Sequence, residues 1–405
     1  MVNEPTIDLE VGAPVHGGHC LARHEGRIVF VRHALPGERV RVLLTEAGDK
    51  GYWRGDAVEV LDASADRVPS VWPAAGPGGV GGGELAHVRL PAQRLWKRDA
   101  VLDALHRIGK LTDHPALEGF TVEAVPGDDV RGGLGTRTRI ELVADGEGRA
   151  GMFAARSHDV IPLTCMPLAA EPIRAAGLFE RSWRPGSRLH AVAPSDGDVL
   201  VLADGDEVRG GRRKVRERVT LERTYDYRVA GAGFWQIHLG APELLARAAL
   251  AAAALEPGQR VLDLYSGAGL FTAPLADAVG EAGTVHAVEG DPQAVRDARR
   301  NAHGLPQVRL HEGQVAQVLA AVRPVADVVV LDPPRAGAGR RVMEQVLAGR
   351  PDRVVYVACD PAALARDIAT ARTIGYELES LRGFDLFPHT HHVECLAVLT
   401  PAAAP

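Results

Sequence analysis

Residues 260–272 read RVLDLYSGAGLFT. The apolar positions Val261, Leu262 and Leu264 run into a turn holding Gly267 and Gly269, and apolar residues resume at Leu270 and Phe271. Strand, tight turn and helix follow from that order, because glycine takes left-handed backbone angles and lets a ligand approach the main chain closely. Asp263 lies just before the turn. The next apolar run, HAVEG (286–290), closes with Glu289, 20 positions beyond Gly269. Doubly wound folds place at that distance the acid that hydrogen-bonds a ribose. A dinucleotide fingerprint would want a third glycine at position 272, where Thr272 stands. The pattern therefore favours an adenosine ligand without a pyrophosphate, and S-adenosylmethionine fits that description.

Outward from this stretch, helix and strand alternate from about residue 240 to the end. The strand candidates are RVLDLY, GTVHAVE, VRLHEG, ADVVVLD, RVVYVAC and ECLAVLT. Such alternation predicts a parallel α/β sheet, doubly wound and Rossmann-like, with ligands gathered at the carboxyl ends of its strands. ADVVVLDPPRAG (326–337) ends a buried strand on Asp332, ahead of two prolines and Arg335. A carboxylate there must pair or hydrogen-bond. It is either half of an Asp–Arg ion pair or part of a rigid rim holding polar groups against a substrate base. VVYVACDP (354–361) ends the following strand at Cys359, where Pro361 forces the chain to turn. Two candidate groups thus share one edge of the sheet.

A cysteine thiol is a good nucleophile only when its pKa falls or a base assists it. Toward a pyrimidine its useful reaction is addition to C6, which makes C5 enolate-like and able to attack an electrophilic methyl group. A base must then take the C5 proton so that the sulfur can leave. FDLFPHTHHVECLAVLT (384–400) offers Glu394 for that task, beside His389, His391 and His392. The histidines have no second ligand cluster at metal-site spacing, so positioning or RNA contact is the expectation and no metal is assigned.

A chain of 405 residues is expected to divide into domains. Short alternating strands with glycine punctuation over the first sixty residues predict an OB-like β-barrel. PAAGPGGVGGG (73–83) breaks the chain, and the stretch after it has helical periodicity with Pro91 near a helix start. From about Gly132 to Ala230 strand patterns return, with the basic segment RGGRRKVRERV at 209–219. The expected division is 1–65 barrel, 66–235 central α+β RNA-binding region, and 236–405 catalytic α/β domain. Composition is that of a globular protein, 46% hydrophobic and 24% charged. The net charge of −6 gives no global attraction for nucleic acid, so RNA binding would need a local basic face. Only four of the 46 basic residues are lysine. The N-terminal stretch MVNEPTIDLEVG lacks a signal-peptide core, and no apolar run reaches the roughly 20 residues of a membrane span. Four unclustered cysteines and no secretion signal predict reduced thiols and a cytoplasmic location, and the chain's size and self-contained domains make a monomer the default.

Taken together, EVGAPVHGGHCLARHEGRIVFVRHALPGERV (10–40), GFWQIH, LDLYSGAGLF, AVEGDP, LDPPRAG, ACDP and FPHTHHVE resemble the RNA uracil-C5 methyltransferases in motif and in order. The resemblance covers almost the whole chain. It implies an N-terminal TRAM domain, a class I S-adenosylmethionine-dependent methyltransferase domain, and ribosomal or transfer RNA as substrate. It implies Gln236, Tyr265, Glu289 and Asp332 at the S-adenosylmethionine and target-base site, Cys359 as nucleophile and Glu394 as the base for the C5 proton. Many members carry an iron–sulfur cluster whose ligands include Cys-Gly-Gly-Cys. Here the matching stretch is Val80-Gly81-Gly82-Gly83, and Cys165 resembles the one remaining ligand, so no cluster is expected. His238 stands where the family has Asn, and Leu270 where it has a polar residue. The alternatives are an RNA cytosine-C5 methyltransferase, which DPPR in place of a cysteine-bearing motif disfavours, and a catalytically degenerate RNA-binding protein.

Overall fold

The structure is a computed structural model and describes residues 6–48, 51–155, 157–208 and 213–402. Six strands open the chain, in the spatial order Thr6–Glu10, Arg39–Glu46, Tyr52–Asp62, Arg27–Arg32, His19–His24 and Pro14–Val15. Alternation sets their faces. Val40 and Val42 point inward with Val29, Val31 and Cys20, while Arg39 is left outside. This is the expected N-terminal barrel, and Leu85, Val88 and Trp96 from beyond it complete its core.

A second six-stranded antiparallel sheet runs Val160–Pro162, Ala150–Phe153, Arg139–Ala144, Arg188–Val192, Leu200–Ala203 and Asp206–Glu207. Trp72, Val80, Met166 and Leu168 pack beneath it. Packing does not treat 66–235 as one body. Helix Leu90–Arg107 buries Val101, Ala104 and Leu105 in a core shared with Ile368 and Ala371. Strand Val122–Ala124 adds a parallel edge to the C-terminal sheet. The hairpin Lys214–Thr220 and Thr224–Ala230 sends Val215, Val219, Tyr227 and Val229 into the core that holds Leu245, Phe271 and Val285. The hairpin alternates with one apolar face, and the α/β domain covers that face. Of the basic segment 209–219, residues 209–212 lie outside the described residues.

The C-terminal sheet has eight strands in the order Val308–Glu312, Thr284–Glu289, Arg260–Leu264, Val328–Leu331, Arg353–Ala358, Glu394–Pro401, Tyr376–Asp385 and Val122–Ala124. The first five are parallel. The expected all-parallel sheet is therefore corrected. Glu394–Pro401 pairs antiparallel with both neighbours, and Tyr376–Asp385 is a further strand not expected from the sequence. The antiparallel return carries Glu394 back to the rim where Cys359 ends its strand. Strand order reverses about Arg260–Leu264, which opens the ligand crevice over the carboxyl ends of the central strands. Among the described residues no helix is long and apolar enough to cross a membrane.

Candidate active site

The crevice is a cavity of about 1110 Å³ whose wall includes Gln236, Tyr265, Glu289, Asp332, Cys359 and Glu394, so all six residues singled out from the sequence meet there. The sheet explains why. Ala358 pairs with Cys395 across antiparallel strands, and continuing that register by one step sets Cys359 opposite Glu394. Asp332 follows the neighbouring parallel strand at the same rim. Tyr265 takes a left-handed φ of 62° as the chain leaves its strand, and Gly267 and Gly269 follow at 56° and 94°. That turn aims the Gly267 N–H at Oε2 of Glu289, 2.8 Å away, while Oε1 accepts from the Asp291 N–H at 2.6 Å. Each carboxylate oxygen retains acceptor capacity for a further donor.

The carboxylates here are poorly solvated. Glu394 is buried and its Oε1 has no hydrogen-bond partner among the described residues. Burial first, and Asp332 second, hold its carboxyl well above the ordinary range. Asp332 is raised by burial and by the Asp263 carboxylate. It accepts a long bond, 3.4 Å, from Nε2 of Gln236. Arg335 does not pair with Asp332 and instead lies 3.4 Å from Nε2 of His392. Cys359 is partly exposed and free of disulfide. Burial, then the nearby Glu394 and Asp332, push its thiol up to about 12. The surroundings of this thiol therefore do not lower its pKa, which is one of the two ways a cysteine is made reactive. Asp263 is internal: it accepts from the Thr272 hydroxyl and does not line the cavity.

A family model described as tRNA (uracil-5-)-methyltransferase matches residues 198–401, and one for the TRAM domain matches residues 5–58. The chain belongs to the tRNA (uracil-5-)-methyltransferase family. An uncharacterized RNA methyltransferase of Streptomyces avermitilis is 42% identical, over 98% of each chain. One from Bifidobacterium longum is 42% identical, over 95% of this chain and 94% of its own. Among solved structures, the Pyrococcus abyssi tRNA (uracil-54, C5)-methyltransferase in complex with S-adenosyl-L-homocysteine superposes with a TM-score of 0.70 at 22% identity, covering 97% and 99% of the two chains. That likeness is one of fold.

The TRAM domain of this family member touches the sheet edge beside Cys359. Nε2 of His16 lies 3.2 Å from Oδ2 of Asp360, the residue after Cys359, whose Oδ1 caps helix Pro361–Thr373 through the Ala363 N–H. The histidines at 389–392 have three different settings. His389 is a buried clasp, bonded through its ring to Gln93 and the Gly132 carbonyl, so the expectation of RNA contact does not hold for it. His391 faces Glu84 at 3.6 Å, and His392 lines the cavity. His238 is buried too. Its Nδ1 accepts from the Gly240 N–H, so Nε2 carries the proton and donates to Asp128 at 2.9 Å. The residues at the iron–sulfur position do not fit a cluster. Val80 is packed in the apolar core of the second sheet, and a Cβ at Gly83 would sit 2.7 Å from that of Ala75 and 2.8 Å from the Trp72 ring. Cys165 is exposed. Sequence reading missed Phe234, 70% exposed at the cavity wall, and Gln314, which follows the strand Val308–Glu312. The rule that placed Glu289 at a strand's carboxyl end also reaches Gln314.

Proposed function

We propose that the protein transfers the methyl group of S-adenosylmethionine to C5 of a uridine in structured RNA, through a transient bond between Sγ of Cys359 and C6 of the base. One observation carries this reading: Cys359 and Glu394 face each other across adjacent strands in the cavity that also presents Glu289 beside the glycine turn. Family membership supports RNA methylation as the activity class. The P. abyssi protein, solved with S-adenosyl-L-homocysteine, supports the donor.

In this mechanism the target base leaves its stack, because a residue that lines a cavity cannot reach C6 inside a helix. Glu289 holds the ribose hydroxyls of the donor with its remaining lone pairs. Gln236 and Asp332 offer an amide and a carboxyl to the polar edge of the base. Sγ of Cys359, partly exposed in the cavity, passes its proton to solvent water as it bonds to C6, and the electron pair of the 5,6 double bond moves toward C5. C5 takes the methyl group from the sulfonium. Glu394, poised with an unpartnered oxygen, then takes the C5 proton, the S–C6 bond breaks and the 5,6 double bond returns.

The test incubates undermodified RNA, from cells lacking this protein, with methyl-labelled donor and digests the RNA to nucleosides. Label in 5-methyluridine is the expected result. Label in 5-methylcytidine, or none at all, overturns the reading.

A further inference from the structure

Helix Pro292–Asn301 follows the strand that delivers Glu289, and its charge is arranged along one side. Arg296, Arg299 and Arg300 recur at i, i+3 and i+4, a spacing that aligns side chains on one helical face, and His303 follows just past the end of the helix. All four are exposed. With Lys214, from the first strand of the hairpin, they line a groove of about 450 Å³, and no carboxylate among the described residues lines it. Asp297, on the same helix, is buried. It accepts from the Ala230 N–H at 2.8 Å and from Gln293 at 3.1 Å, and pairs with Lys214. Arg296 bonds the amide oxygen of Gln293 at 2.7 Å, and neither Arg296 nor Arg299 has an ion pair among the described residues.

A structural reading accounts for part of this. Arginines in a last helical turn suit the helix dipole, which covers Arg299 and Arg300. It does not cover Arg296, nor the convergence of a second element through Lys214. Like charges three and four apart destabilise a helix by a few tenths of a kcal/mol per pair. In a chain of net charge −6, such a stripe is a local excess that an external anion would relieve. Its location indicates which anion. Lys214 lines both this groove and the catalytic cavity, and Arg213, Gln293 and Ala294 continue the cavity wall toward it.

We propose that the groove binds backbone phosphates of the nucleotides flanking the methylated uridine. This rests on RNA being the substrate. Guanidinium forks match phosphate oxygens two at a time, and a helical stripe of them spans successive phosphates. The shared chemistry is phosphate, and a polynucleotide is favoured over a single phosphate because the cations run from Lys214 at the cavity wall to His303 beyond the end of the helix.

The test uses the full chain with S-adenosyl-L-homocysteine and a fluorescent oligouridylate of about 12 nucleotides. Anisotropy gives the affinity from about 50 to 200 mM salt. The double variant Arg296→Gln/Arg299→Gln should bind roughly tenfold more weakly at low salt. The slope of log K against log salt should fall by about 1.4, or about 0.7 for each phosphate that is no longer neutralised. Arg296→Lys/Arg299→Lys should keep most of the slope. Binding of S-adenosyl-L-homocysteine and the melting temperature should match the parent in both variants. Unchanged affinity and slope in the Gln variant overturns the groove assignment and leaves uridine methylation standing, since the labelled-donor assay tests that separately. Equal displacement of the probe by uridine monophosphate at matched phosphate concentration overturns the polynucleotide assignment. A parent protein that binds no oligouridylate overturns the groove as well.

Discussion

Asp385 and Glu394 lie on neighbouring antiparallel strands, Phe384 being the pairing partner of Glu394, and both are buried. The fold treats them in opposite ways. Asp385 is ion-paired with Lys97, whose side chain has no exposed surface and which also donates to the Phe387 carbonyl at 2.9 Å. Glu394 has an orphaned oxygen, and the charge that acts on it most is another acid. A buried carboxylate with a fitted cation is a structural clasp, here tying helix Leu90–Arg107 to the C-terminal sheet. A buried carboxylate facing a cavity without a partner carries a desolvation penalty that folding alone does not require. Unsatisfied polarity, more than burial, separates the two regions.

The contrast is broken most directly at the sulfur. Cys359→Ala should lower methyl transfer by roughly 10⁴-fold or more, with donor binding and melting temperature near those of the parent. Activity retained in that variant would remove the covalent route. Glu394→Gln should lower turnover by roughly 10² to 10⁴-fold while stability holds or rises, because an uncompensated buried acid has been made neutral. The protein–RNA adduct should accumulate and survive denaturing electrophoresis, and product release at the parental rate would assign Glu394 another role.

Lys97→Met should show the opposite pattern. Stability should fall by about 3–5 kcal/mol in denaturant titration, since Asp385 is left charged and buried, while turnover per folded molecule stays near parental. The double variant Lys97→Met/Asp385→Leu should recover much of the loss, and failure to recover would show that the pair is not the clasp described. The smallest effect is expected at Asp332. A carboxyl that titrates higher in the folded protein than in the unfolded chain is favourable below the unfolded range, near about pH 4. Its contribution is lost as pH rises toward the folded value. Asp332→Asn should therefore flatten the decline of stability between about pH 4 and about pH 7, measured by denaturant titration at each pH. An unaltered slope would mean that the carboxyl is not strained.

Legibility followed the range of the interactions. The glycine turn, Glu289, Asp332 and Cys359 were readable because strand, turn and strand end are local patterns. The strand Tyr376–Asp385 was not, because its burial pattern follows from pairing with Glu394–Pro401 and Val122–Ala124. The histidines at 389–392 look alike in sequence. Only packing separates the buried His389, bonded to Gln93 from a helix almost three hundred residues earlier, from His392 at the cavity. The basic segment 209–219 stands out in the sequence as a charge run. The groove it shares with Arg296 and Arg299 needed the hairpin to dock on a helix far along the chain.

By itself the sequence determined the alternation of strand and helix behind the parallel part of the sheet, the glycine turn after Leu264, the thiol at a strand end and the absence of thiolates at 80–83, since each depends on residue type and near-neighbour spacing. Tertiary structure alone decided that Glu394 returns antiparallel to stand opposite Cys359, that the thiol titrates high where a low value was one of two options, and which carboxylates have cations. Those outcomes depend on desolvation and on charges brought together from distant parts of the chain, and neither quantity is defined before the strands pair.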